Sequence, residues 1–352
     1  MARNKRRKKL KDREKMIGLR IAAKKRWRQR KNKKCVENSL QVPGPSVSCE
    51  PRGKSPDAAE QQEAKPTTVQ EKSPEPAQRP DKESKKPAAT YLDKHHKQSI
   101  KEIDPSEIAR SEKTLGQGTF GVCYLAHYRE IVVAVKEFKQ QESWSLEQMK
   151  REVLQEARMI CHLGDHRGLP LLFGVVTESV PLRLVTQFHG MKRQSITLKK
   201  GLKHLKDKLD KPCWLDILKN IIKALDHVHE VSVLHNDLKS NNILLEKRQE
   251  KWNPVIIDFG KAGFISKPKP LMSLSSSAQE RYRKLYPHIT TEIMQGTGQQ
   301  SVASDIFSLG RIALAILDLL PTATANSLHS ARRATSDDPA KRPSLKEMLA
   351  AL

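Results

Sequence analysis

The stretch HNDLKSNNILL, residues 235–245, sets three polar side chains at fixed offsets: Asp237, Lys239 two residues on, and Asn242 three further. Asp258, in IIDFG, follows sixteen residues after Asn242. One Asp alone signifies nothing. An acid that can take a proton, an ammonium at +2 and two hard oxygen donors form a set able to place a general base and two metal ligands around a nucleotide's phosphates. Such a set works only if a loop is pinned between apolar elements and if other parts of the chain grip the phosphates.

The gripping parts lie upstream. LGQGTFGVCYLA carries Gly116, Gly118 and Gly121 directly after Leu115. GxGxxG on its own is weak, because dinucleotide-binding folds use it at a strand-to-helix turn. Here it runs into VCYLAHYREIVVAVKEF, whose β-branched and aromatic residues predict further strand. That describes a hairpin whose glycine N–H groups can approach phosphates with no Cβ in the way. Lys136 ends the apolar run Val133-Ala134-Val135 and needs an anionic partner. The next stretch, SLEQMKREVLQEARMICHL, is helical by period and contains Glu152 and Glu156.

Taken in order, these parts make the chain resemble the protein kinase family, from about Leu115 to Leu352. The resemblance implies an α+β, two-lobed fold, with a β-rich N-lobe over 101–189 and a mainly helical C-lobe over 190–352. It implies ATP and Mg²⁺ in the cleft between the lobes. Lys136, held by Glu156 (or by Glu152, one turn earlier), would orient the phosphates. Asp258 and Asn242 would hold the metal, Asp237 would take the acceptor hydroxyl's proton, and Lys239 would neutralise charge on the γ-phosphoryl. Leu115 and the three glycines would cover the nucleotide. Thr186 would be the gatekeeper, with the backbone from Gln187 to His189 facing adenine. Val122 and Ala134 from above and Leu244 from below would sandwich the base. SDIFSLG (304–310) would open the long C-lobe helix, with Asp305 holding the catalytic loop, and Arg342 would pair with Glu292.

Lys239 and the HxDLKSNNILL pattern are similar to the tyrosine-kinase-like group of serine/threonine kinases. The reading is transfer of the ATP γ-phosphoryl to protein Ser/Thr hydroxyls in signalling, with a tyrosine kinase as the alternative and a non-catalytic scaffold as the second. Three departures bear on it. Asn236 stands where the family has Arg, which removes the main ligand for an activation-loop phosphate and leaves only loop lysines such as Lys261, Lys267 and Lys269. Thr290-Thr291-Glu292 replaces Ala-Pro-Glu. Only 36 residues separate Asp305 from Arg342, so the helix that usually docks substrates is expected to be missing.

The charge is unevenly spread. Of a net +25, most belongs to residues 1–34, with eighteen Lys/Arg against Asp12 and Glu14. This basic tail reads first as a nuclear address, to be met by an import receptor, then as a nucleic-acid contact through counterion release, then as a membrane-surface or solvated segment. Residues 35–100 hold nine of the twenty prolines and one aromatic, Tyr91. They cannot bury enough apolar surface to offset ordering entropy, so a disordered linker is expected, with Ser55-Pro56 and Ser73-Pro74 as candidate phosphosites. Five scattered cysteines without a CxxC exclude a disulfide framework or a zinc ribbon. No apolar run approaches a membrane span, and an intracellular protein, nuclear or cytoplasmic, is expected. Cys123, just past the glycine loop, is read as a strand residue rather than a reactive thiol.

Overall fold

The computed structural model describes residues 100–352, apart from Thr119, 141–142, 270–273 and 321–322. The basic tail, all of the linker but Ile100, and Ser273 of the activation segment therefore lie outside the described residues.

Strands β1 (Ile108–Gln117), β2 (Gly121–Tyr128), β3 (Ile131–Phe138), β4 (Leu172–Val176) and β5 (Arg183–Gln187) form one antiparallel sheet in the order β1-β2-β3-β5-β4. Side chains alternate across a strand. One face, with Tyr124, Ala126, Val133, Val135 and Val185, closes a small core with Ile103 and Val176. The opposite face carries Lys136 and Leu184, a cross-strand pair, and meets helix α1 (Leu146–Leu163). That helix begins in a capping box between Ser145 and Gln148, which satisfies N–H groups that the first turn leaves unpaired. Its buried Met149, Val153, Ala157 and Ile160 recur at helical spacing and face the main core. Glu156 lies among them, one position before Ala157 and also buried.

The C-lobe is mainly helical: α2 (Leu198–His204), α3 (Lys211–Glu230), α4 (Ser276–Leu285), α5 (Thr291–Gln295), α6 (Val302–Leu317), α7 (Ala325–Ala334) and α8 (Leu345–Ala350). Its core joins Trp214, Ile217, Leu218, Ile221 and Leu225 of α3 to Leu309, Ile312 and Ile316 of α6. Two small sheets frame the loops. β6 (Ile196–Thr197) pairs with β8 (Ile243–Arg248), which pairs with β9 (Lys251–Ile256). β7 (Val233–Leu234) pairs with β10 (Gly263–Phe264). Among the described residues only α7 and a 3₁₀ turn (Pro339–Lys341) lie between α6 and Arg342, in keeping with the shortened C-lobe. No helix of the described residues is long and apolar enough to cross a membrane.

Candidate active site

β3 ends beside α1, and this places Lys136 Nζ 2.7 Å from both carboxylate oxygens of Glu156. Of the two glutamates open in the sequence, the structure pairs Glu156 with Lys136. Asp258, from beyond β9, brings its Oδ1 to 3.1 Å from the same ammonium across 122 residues of sequence. Burial works against the Lys136 charge, but the two carboxylates outweigh it and its pKa rises. Burial likewise opposes the Asp258 carboxylate, and Lys136 holds its pKa below the usual range.

The catalytic-loop residues follow β7 and are pinned from α6. Asp305, buried, accepts the His235 N–H at 2.8 Å and the Asn236 N–H at 2.9 Å, and its Oδ2 lies 3.1 Å from His229 Nε2. His235 is buried and neutral, its pKa pushed down by burial. Its Nδ1 accepts the Asp237 N–H at 3.3 Å, and its Nε2 donates to the Ile257 carbonyl at 3.1 Å. Asn236 takes a left-handed backbone, φ 62°, and its amide donates to the Lys261 carbonyl at 3.2 Å. It therefore ties the loop to the start of the activation segment without charge.

Asp237 is only 4% exposed. Lys239 Nζ lies 2.7 Å from its Oδ2, and Lys261 Nζ and His288 Nε2 lie 2.8 Å and 3.0 Å from its Oδ1. Burial opposes ionisation, yet the His288 hydrogen bond and the two lysines hold its carboxyl far below the ordinary range. His288 escaped the sequence reading altogether. So did the role of Lys261, which is engaged with Asp237 rather than standing as a loop lysine for a phosphate. Asn242 donates its amide N–H to the Asp237 carbonyl at 3.0 Å. That fixes the amide's orientation and makes its oxygen the atom that a cation would use.

The nucleotide side needs one correction. β2 and β3 pair without a shift, Val122 opposite Glu137 and Cys123 opposite Lys136. Cross-strand partners share a face, so Val122 points away from the face of Ala134 and Lys136. Cys123 takes the place expected of Val122. Burial pushes the Cys123 thiol up to about 11, so it is a packing residue rather than a nucleophile. Ala134 and Thr186 are cross-strand partners on the cleft face. Leu115 lies at the register shift between Thr114 and Gly116, and Leu244 on β8 is half-buried. The Gln187 N–H is already donated to the Leu171 carbonyl at 2.9 Å and is lost to a base. The His189 carbonyl accepts Ser195 Oγ at 2.7 Å, while its buried ring meets Glu246 at 3.1 Å and ties the inter-lobe connection to β8.

The residues fit Mg-ATP on chemical grounds. An amide oxygen and a carboxylate are hard ligands of the kind Mg²⁺ takes beside phosphates and water. A Cβ added at Gly116 or Gly118 would meet nothing within 4 Å, whereas at Gly121 it would fall 2.0 Å from the Glu137 carbonyl oxygen. The third glycine is demanded by the fold. The first two are not, and the space they leave is open to a ligand.

A family model described as a protein kinase domain matches residues 109–338. The chain belongs to the protein kinase family. Similar proteins include a cysteine-rich receptor-like protein kinase of Oryza sativa subsp. japonica, 30% identical over 210 residues, and a G-type lectin S-receptor-like serine/threonine-protein kinase of Arabidopsis thaliana, 34% identical over 211 residues. Serine/threonine-protein kinase SIK1 of Rattus norvegicus is 26% identical over 205 residues. These matches cover 58%, 58% and 56% of this chain and 30%, 24% and 24% of the respective relatives. The likeness is thus to the kinase domain of longer proteins.

The kinase fold brings Lys136, Glu156 and Asp258 into one cluster, and Asp237, Lys239 and Asn242 into a second on the catalytic loop. The pair expected between Glu292 and Arg342 is bidentate, at 2.7 Å and 3.0 Å.

Proposed function

We propose that this kinase domain binds ATP with Mg²⁺ and transfers the γ-phosphoryl to Ser/Thr hydroxyls of protein substrates. The observation that carries the reading is the Lys136–Glu156–Asp258 cluster, assembled from three distant segments at 2.7 to 3.1 Å. In the proposal Lys136 turns from Asp258 to the phosphates while Glu156 keeps it in place. Asp258 and Asn242 would hold Mg²⁺, which would supply charge neutralisation on the phosphates. Asp237 takes the acceptor hydroxyl's proton, and Lys239, already beside it, faces the charge that develops on the transferring group. Chemistry of this kind is mostly positioning and electrostatics. Lys239 and the relatives named as serine/threonine kinases support Ser/Thr over Tyr. For residues 1–34 the charge favours a nuclear address.

The test uses the purified full chain, radiolabelled ATP with Mg²⁺, and dephosphorylated casein. Transfer to Ser/Thr is expected, with a loss on the order of 10²–10³ or more in Asp258→Ala, as for removal of one preorganised electrostatic element. A wild-type rate equal to that of Asp258→Ala would leave the scaffold reading, and dominant phosphotyrosine would leave the tyrosine-kinase one. A fluorescent fusion that stays nuclear when residues 1–34 are deleted would sink the address.

A further inference from the structure

Asp237 is held by more than its own loop. A carboxylate oxygen accepts about two hydrogen bonds. Oδ1 meets His288 Nε2 in a hydrogen bond and Lys261 Nζ in an ion pair, while Oδ2 accepts from Lys239 Nζ. Among the described residues Oδ1 is thus the more heavily engaged of the two oxygens.

His288 comes from the segment between α4 and α5, 51 residues from Asp237. It is buried, and burial pushes its pKa down; the Asp237 contact pulls it back up, while Lys239 and Lys261 push it further down. A neutral imidazole that meets a carboxylate through Nε2 carries its proton there and donates it. The ring is not placed by a loose loop. The His288 carbonyl accepts Ser308 Oγ at 2.6 Å. Ser308 stands three residues after Asp305 on α6, and residues three apart share a helix face. Asp305 holds the N–H groups of His235 and Asn236, just before Asp237. The carboxylate and the ring that touches it thus hang from one face of one helix.

We infer that His288 is a positioning residue for phosphoryl transfer: by filling Oδ1 of Asp237 it fixes the carboxylate plane and leaves Oδ2 as the oxygen that receives the substrate's proton. The inference rests on the phosphoryl-transfer reading above. In the step, the hydroxyl oxygen bonds the γ-phosphorus, the bond from γ-phosphorus to the β–γ bridging oxygen breaks, and ADP leaves with that electron pair. The hydroxyl proton passes to Asp237 Oδ2 and then to solvent. His288 keeps its own proton throughout.

The test compares wild type, His288→Leu and His288→Gln in the full chain, with radiolabelled ATP and dephosphorylated casein. Gln can place an N–H near the position of Nε2; Leu cannot. Loss of a hydrogen bond to a charged group predicts a fall in kcat of about tenfold or more in His288→Leu, with both KM values within about threefold. His288→Gln is expected to keep kcat within about threefold of wild type, less than half the tenfold barrier change. An unchanged or faster His288→Leu, or equal losses in both variants, overturns the inference while leaving the transferase reading intact. If wild type does not exceed Asp258→Ala, that reading has failed and the role of His288 falls with it. A second readout needs no turnover and covers a misfolded Leu variant. In ¹⁵N-histidine NMR the His288 ring N–H, assigned by its loss in His288→Gln, should shift or exchange rapidly in Asp237→Ala. A signal unmoved by Asp237→Ala overturns the contact itself.

Discussion

Glu292→Ala should be among the most damaging single changes in the C-lobe. The Arg342 side chain is fully buried, and its carboxylate partner is 13% exposed. Arg342 donates to Glu292 at 2.7 Å and 3.0 Å, to the Ala303 carbonyl at 3.0 Å and to the Ser336 carbonyl at 2.9 Å. Removing the carboxylate leaves a guanidinium in the protein with three backbone acceptors, the Ser336, Ala303 and Asp337 carbonyls, and no counter-charge. Breaking a buried pair from one side costs about 3–5 kcal/mol. In a domain of this size each kcal/mol lowers Tm by about 2–4 °C, so a fall near 10 °C is expected. The double-mutant cycle with Arg342→Met should show a coupling of about 2–3 kcal/mol, at the upper end for residues in contact, because the double variant buries no lone charge. Thermal and urea unfolding of the four proteins reads this directly. A Tm shift below about 3 °C for Glu292→Ala, roughly 1 kcal/mol, would show that the pair is screened like a surface one and would refute the reasoning.

Lowering pH should destabilise the fold through its buried histidines. His235 and His288 are held neutral by burial, while in the unfolded chain they protonate below about 6.5. The unfolded state then binds more protons, so stability is lost as pH falls through about 6.5 towards the lowered folded values. A Tm that does not drop between about pH 7.5 and 5.5 would contradict it. Gly121→Ala should destabilise strongly, since its Cβ would overlap the Glu137 carbonyl. Gly116→Ala and Gly118→Ala should melt within about 2 °C of wild type, under roughly 1 kcal/mol, yet bind ATP more weakly by isothermal calorimetry. Phosphatase treatment, with removal checked by mass spectrometry, should leave the initial rate within about twofold, well under the 1.4 kcal/mol of a tenfold change, because Asn236 joins the activation segment by an uncharged hydrogen bond. Alkylation of Cys123 by iodoacetamide at neutral pH should be slow in the native chain, its thiol pushed up to about 11 by burial, and fast once unfolded.

Local pattern carried much of the site. A glycine hairpin, a lysine closing an apolar strand and an acid on a helical period are short-range signals, and the fold brings Lys136 to Glu156 as their order implies. Val122 lies off the cleft face because β2 pairs with β3 without a shift, which sets Cys123 and not Val122 opposite Lys136. His288 and Lys261 had no such signal. Their contacts with Asp237 depend on backbone paths that no local period sets: His288 follows α4, which buries none of its side chains, and its carbonyl is held by Ser308 of α6. The His189–Glu246 pair was hidden for a similar reason, since it joins positions 57 apart that pattern alone does not relate.

Suspending Asp237 and His288 from α6 through Asp305 and Ser308 has a mechanical consequence. Any shift or tilt of that helix is common-mode: both groups travel together and their separation is preserved. Movement of the sheet that carries Lys136, relative to the loop that carries Asp237, is differential and changes the distance between phosphate grip and proton acceptor at once. In the proposed reaction turnover should therefore follow the opening angle of the cleft, while motion of α6 leaves the Asp237–His288 contact intact.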